Sequence, residues 1–148
     1  MPESTNSIAQ ALWKWLRQCP ALTQGVKVGV DYLSDKAQEY AIYAVPSTIR
    51  TTENVLGEVS PAARQQQTFY FASKEPYGAD ARQTMQNQHF YEAVIAWIWE
   101  QNRLRNLPSI PGGSVISLVP TLTPMIADAS ADTARYQIQL QLTYRRYD

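Results

Sequence analysis

Between Arg135 and Arg145 the chain alternates without a break. Tyr136, Ile138, Leu140, Leu142 and Tyr144 are separated by Gln137, Gln139, Gln141 and Thr143, with Arg135 and Arg145 at the ends. A helix returns apolar residues to one face every three or four positions, whereas a strand does so at every second one. The stretch is therefore a β-strand with one face on a core and the other polar, nearly uncharged through its middle. A lone strand cannot keep water from such a face, so the rest of the chain must supply neighbouring strands and a covering layer.

The remaining segments supply both. Val26, Val28, Val30 and Tyr32 alternate with Lys27, Gly29 and Asp31, and Glu39 to Val45 reads as a second strand after a turn around Ser34-Asp35-Lys36. The shortness of that turn predicts an antiparallel hairpin. Thr68 to Ser73 is a strand by its aromatic content, with Phe69 and Phe71 on one face and Tyr70 on the other. Val115 to Thr123 is a fourth strand, bent at Pro120 and so suited to a sheet edge, and a turn-rich segment from Pro124 to Thr133 leads into the last strand.

Two helices complete the pattern. Ile8, Leu12, Trp15, Leu16 and Cys19 fall at helical spacing, with Ser4 or Thr5 as the expected cap and Pro20 as the stop. A longer helix is expected from about Asp80, its N-cap, to about Arg105, with Met85, Phe90, Val94, Trp97, Ile98 and Leu104 as its apolar stripe. Glu100 and Arg103 face water, and Pro108, Pro111, Gly112 and Gly113 end it. The order α-β-β-β-α-β-β predicts the α+β class: a mixed, largely antiparallel sheet of about five strands with two helices packed on one face. At 148 residues the chain makes one domain, residues 1–148, because halves of it would each sit near the lower limit of independent stability.

Charge and chemistry narrow the function. Thirteen basic residues balance thirteen acidic ones at a pI near 6.6, which argues against sequence-specific nucleic-acid binding, since that draws on excess Lys and Arg. No apolar run approaches the roughly 18 residues of a membrane span. The first residues lack the basic and apolar regions of a signal peptide, so assembly in a cytoplasm is expected. The single cysteine, Cys19, excludes an internal disulfide and a multi-cysteine metal site, and reads as a small buried hydrophobe. His89 is the only histidine, with neither a nucleophile nor an orienting carboxylate suggested beside it. Gly112-Gly113 lacks the downstream Lys-Ser/Thr of a phosphate-cradling loop and is a turn. No catalytic, metal or cofactor-binding residue is expected.

Three features point instead to surfaces. Trp13, Trp15, Trp97 and Trp99 form two Trp-x-Trp pairs, and positions two apart on a helix point in different directions. Trp13 and Trp99 should leave the core face, either to pack on a loop or sheet rim or to meet another subunit. The Gln-bearing face of the last strand offers donors and acceptors without charge, either to solvent or to another copy. The arm from Pro46 to Gln66 loses all periodicity and carries Val55, Leu56 and Val59 with Arg50 and Arg64. Connections of that length inside a compact domain are uncommon, and this one is expected to be mobile in the monomer and to order on a partner.

Several segments, taken together, resemble a family of small phage and prophage structural proteins. They are Asp31-Tyr32-Leu33, Phe71-Ala72-Ser73 followed by Tyr77-Gly78, Asn87 to Glu92, Trp97, Asn106-Leu107-Pro108, and Asp132 to Gln139, with the first helix ending in Cys19-Pro20. The family includes minor capsid and tail-completion proteins and is related in fold to tail terminators. The resemblance implies a non-enzymatic protein that closes into a ring, typically hexameric, on the end of a tail tube. Such a ring stops tube polymerisation and forms the tail side of the head–tail junction. Its implied partners are other copies of itself, the tail tube protein and the head–tail connector protein, in a virion tail or phage-tail-like particle assembled in the bacterial cytoplasm. The residues expected at subunit or tube contacts are Trp13, Arg50, Val55, Leu56, Arg64, Trp99, Arg135, Gln137, Gln139 and Arg145. The alternatives are a head–tail connector or other minor tail component and, from another class, a small cytosolic ligand-binding domain or enzyme.

Overall fold

The computed structural model describes residues 7–22, 28–30, 40–76, 81–129 and 133–147. Its elements are α1 (Ile8–Leu16), β1 (Val28–Val30), β2 (Tyr40–Val45), β3 (Thr51–Glu53), β4 (Val59–Pro61), β5 (Arg64–Pro76), α2 (Ala81–Leu104), β6 (Gly113–Ala129) and β7 (Thr133–Arg146). Five strands form one sheet in the order β1-β2-β5-β7-β6, and β3 and β4 make a separate hairpin. This is the expected α+β class with a mostly antiparallel sheet.

The alternation at the end of the chain is explained by the place of β7, which pairs with β5 on one side and β6 on the other. Register sets Ile42, Phe71 and Ile138 in one row across β2, β5 and β7, and Ala44, Phe69 and Leu140 in another. Leu12, Trp15 and Leu16 of α1 and Tyr91, Val94 and Ile98 of α2 join these rows, apart from the exposed Ala44 at their end, in one core, so both helices cover the same face. Each such side chain, fully buried, contributes about 1.5–3 kcal/mol.

The first helix starts one turn's hydrogen bonding at Ser7, whose hydroxyl accepts from the Gln10 amide at 3.2 Å. The caps expected from sequence (Ser4, Thr5 and Asp80) lie outside the described residues, as do the Ser34-Asp35-Lys36 turn, Asp31-Tyr32-Leu33 and Tyr77-Gly78. In α2 the expected stripe is corrected at both ends: Met85 and Leu104 are exposed, and the buried line runs Asn87, Tyr91, Val94, Ile98, Gln101. Polar residues close that line at each end, which is why apolar spacing alone misplaced it. The Tyr91 hydroxyl donates to the Tyr136 carbonyl oxygen at 3.0 Å and is hydrogen-bonded to Ser73, so this buried tyrosine keeps its polar end satisfied.

The end of α2 is set earlier than the prolines. Arg105 adopts a left-handed conformation at φ 61, the Asn106 amide donates to the Gln101 carbonyl at 2.9 Å, and the Arg105 amide donates to that of Asn102 at 3.2 Å. This is a Schellman motif in which arginine takes the position usually given to glycine. Gly112 does sit in a turn, at φ 73, while Gly113 opens β6 where a Cβ would meet the Arg145 carbonyl oxygen at 2.5 Å.

Three further expectations change. The strands β1 and β2 pair in parallel, not as an antiparallel hairpin. Alternation reports which face of a strand is covered and is silent on the direction in which the chain re-enters the sheet. The strand β6 is an edge bent at Pro120, as expected, but it continues through the supposed turn-rich segment to Ala129. Four register shifts along it, two of them bordering Leu122, accommodate the prolines, which only an edge tolerates. Finally, the Pro46–Gln66 arm is not patternless: it holds the β3–β4 hairpin and the start of β5.

Candidate interaction site: the hairpin and its foot

The hairpin is built around Asn54. Its side-chain oxygen accepts from the amides of Leu56 at 2.9 Å and Glu58 at 3.0 Å, and its side-chain nitrogen donates to the Glu58 carboxylate at 2.7 Å. The Gly57 amide returns to the Asn54 carbonyl at 3.0 Å, and Gly57 takes φ 83, the left-handed residue that a three-residue hairpin loop requires. Thr52 and Ser60 share a hydroxyl contact across the strands at 3.3 Å. Asn54 and Gly57 between Thr51-Thr52 and Val59 are the turn signal that the loss of apolar periodicity masked.

At the foot, the buried Gln65 side chain spans the gap between strands. Its oxygen accepts from the Arg50 amide at 3.0 Å, while its nitrogen donates to the Arg50 carbonyl at 2.8 Å and the Ala62 carbonyl at 2.9 Å. The Ala62 amide also donates to the Arg50 carbonyl at 2.9 Å, and the Arg146 amide donates to the Ala63 carbonyl at 2.7 Å. The arm expected to be mobile is thus tied at its foot and hydrogen-bonded along its length.

No apolar residue of the hairpin reaches the core. Val55 is fully exposed, Leu56 is 81% exposed, and Val59 is also exposed, as is Ile49 just before the hairpin. Beside the foot lies a cleft of about 650 Å³ whose walls include Ile8, Ala44, Val45, Pro46, Ile49 and Tyr144, with Arg146 as its charged lining residue. A second, more polar cleft of about 380 Å³ lies across the 46–48 segment, with Arg50, Gln66, Thr68 and Gln141 on its walls. His89 is exposed on α2 and lines neither cleft.

Charge is divided along the hairpin. Between Thr51 and Ala63 the chain has two carboxylates, Glu53 and Glu58, and no cation. Arg50, Arg64, Arg145 and Arg146 surround the foot, and register places Arg64 directly opposite Arg145. Like charges facing each other across a ladder are unfavourable. Among the described residues none of these four arginines is in an ion pair; the pair that is formed joins Glu100 and Arg103 in solvent on α2.

The residues expected at contacts therefore fall into three places. Arg50, Val55, Leu56, Arg64 and Arg145 gather on the hairpin and its foot. Arg135, Gln137 and Gln139 lie on the sheet face away from the helices, but less freely than a solvated face would hold them. The Arg135 guanidinium stacks over the Tyr43 ring at 4.4 Å, Gln137 is only 7% exposed, and the Gln139 side chain donates to the Thr121 hydroxyl at 3.0 Å. Trp13 and Trp99 belong to the helical layer. Trp13 is half-buried beneath the Arg17 guanidinium, while Trp99 is 51% exposed. Their partners Trp15 and Trp97 pack ring to ring at 4.8 Å. The second pair divides between core side and surface, whereas Trp13 packs against the core beside Trp15, which corrects its expected departure from the core face. Ile49, Asn54, Gln65, Tyr144 and Arg146 were not singled out in sequence.

Among the described residues no group of three or more His, Cys, Asp or Glu side chains is placed to hold a metal ion. No described helix is long and apolar enough to cross a membrane. No family model matches the chain, and no curated protein matches it.

Proposed function

We propose that this chain is a non-enzymatic assembly protein that caps the end of a phage or phage-like tail tube as a ring, arrests tube growth and supplies the tail side of the head–tail junction. The observation that carries the reading is the hairpin. A packed α+β domain commits a structured, hydrogen-bonded element to displaying Val55 and Leu56 in water, where apolar surface is costly unless a partner covers it. The resemblance in Asn87 to Glu92 and Asp132 to Gln139 supplies the biological setting. A connector or other minor tail component would use the same surface. The rival, a ligand-binding domain or enzyme, would require a concave site that brings His89 together with carboxylates, and His89 lies outside both clefts.

Light scattering of the purified protein should give the mass of a closed oligomer, alone or on isolated tails. Particles assembled without the protein should carry overlong tails or tails unjoined to heads when viewed by electron microscopy. Tails of normal length, joined to heads, would defeat the reading.

A further inference from the structure

We infer that the hairpin tip of one copy docks into the apolar cleft at the hairpin foot of a second copy. The inference rests on the assembly reading and adds to it the two surfaces that meet. A molecule cannot satisfy its own cleft. The walls include Ile49, at the foot of its own hairpin, and the strand Thr51–Glu53 and the Asn54 turn separate Arg50 from Leu56. The tip therefore stands roughly 15 Å away at about 3.3 Å per strand residue, with Val55 and Leu56 in water. The occupant must come from outside, and the matching element on the page is the same tip on another copy.

The two surfaces match in polarity. The tip offers Val55 and Leu56; the cleft offers Ile8, Ala44, Val45, Pro46 and Tyr144, with a polar border of Ser47, Thr48 and Gln65 to Gln67. Its volume of about 650 Å³ is within the range of roughly 300–1,000 Å³ that holds compact, mostly apolar ligands. They match in charge as well. Glu53 and Glu58 flank the tip, and Arg146 is the charged residue that lines the cleft. A carboxylate arriving from a neighbour would meet the Arg146 guanidinium, which is in no ion pair among the described residues of the single copy, and complementary charge of this kind fixes the partner and its register. Because tip and cleft are different surfaces, the contact is head-to-tail, the kind that closes into a ring when its rotation permits.

The test is a Leu56→Cys/Ala44→Cys double variant, oxidised with copper and run on a non-reducing gel. Both positions are exposed, and the native Cys19 is buried and silent. A ladder of crosslinked dimers, trimers and larger species is expected from the double variant. Each single variant should give no species beyond a dimer. Alongside it, Leu56→Asp should weaken self-association at least tenfold by light scattering without moving the thermal midpoint. An oligomer of unchanged mass from Leu56→Asp, with no ladder from the double variant, would overturn the docking contact and leave assembly standing. A protein that remains monomeric at every concentration and on isolated tails would overturn both.

Discussion

The indole nitrogen of Trp15 donates a 2.8 Å hydrogen bond to the carbonyl oxygen of Asn106, joining the first helix to the residue that closes the Schellman motif of the second. The bond links segments far apart in sequence and lies beside the Trp15–Trp97 ring contact. Trp15→Phe keeps an aromatic ring but removes the donor. It should lower stability by about 1–3 kcal/mol, from the lost bond and the space left by the indole. The urea midpoint reads this out, and an unchanged midpoint would contradict it.

Leu140 and Leu56 are the same residue type at opposite extremes of burial. Leu140→Ala should cost about 2–5 kcal/mol, because it empties a packed site. Leu56→Ala should fall within about 0.5 kcal/mol of the parent protein. Denaturation of the two variants under one condition provides the comparison.

Asn54 makes three side-chain hydrogen bonds within the hairpin loop. Asn54→Ala should free the 51–61 segment locally and leave the domain folded. Amide exchange at Leu56 and Glu58 should accelerate, and protease cleavage within the hairpin should rise, with little change in the thermal midpoint. Protection equal to that of the parent would show that the backbone pairing alone holds the turn.

Arg135 and Arg145 were expected to behave alike, and the structure separates them. Arg145 is exposed at the foot of the hairpin, so Arg145→Glu should preserve folding and weaken assembly. Arg135 is half-buried over Tyr43, a contact of about 0.5–2 kcal/mol. Arg135→Glu should therefore lower the thermal midpoint before any effect on assembly is read. Paired melting curves and particle yields distinguish the two.

Burial pushes the Cys19 thiol above its ordinary pKa of 9.0, while hydrogen bonding from the Ala21 and Leu22 backbone opposes the shift. The folded state therefore holds its proton to higher pH than the unfolded chain. The stability this provides is complete below the ordinary thiol value and is lost as pH rises from there through the raised one. Native protein at pH 8 should resist a thiol reagent that labels the urea-unfolded chain at once. Cys19→Ala should flatten the alkaline loss of stability.

What the sequence disclosed follows from what periodicity measures. The strand β7 was legible because Tyr136, Ile138, Leu140 and Leu142 all fall on the core face and the residues between them are polar, although the polar Gln137 and Thr143 are themselves buried. The hairpin was not, because both of its faces are exposed and no alternation is imposed on it. The stripe of α2 was displaced because Asn87 and Gln101 occupy buried positions that apolar counting skips. In the candidate site, Val55 and Leu56 stood out as apolar residues in a polar stretch. The cleft did not, since Ile8, Ala44 and Tyr144 meet only after the sheet and first helix have formed.

The carboxamide of Gln65 holds both the amide and the carbonyl of Arg50, and with the Ala62–Arg50 and Arg146–Ala63 backbone bonds it sets the angle at which the hairpin leaves the sheet. Over an arm of roughly 15 Å, a swing of about 10° at that pivot moves the tip by about 2–3 Å, most of the rise of one extended residue. Aim, more than adhesion, is then what the foot contributes. A population of molecules sharing one pointing direction can repeat the same step from neighbour to neighbour, and a circle comes back to its starting point only when every step is the same.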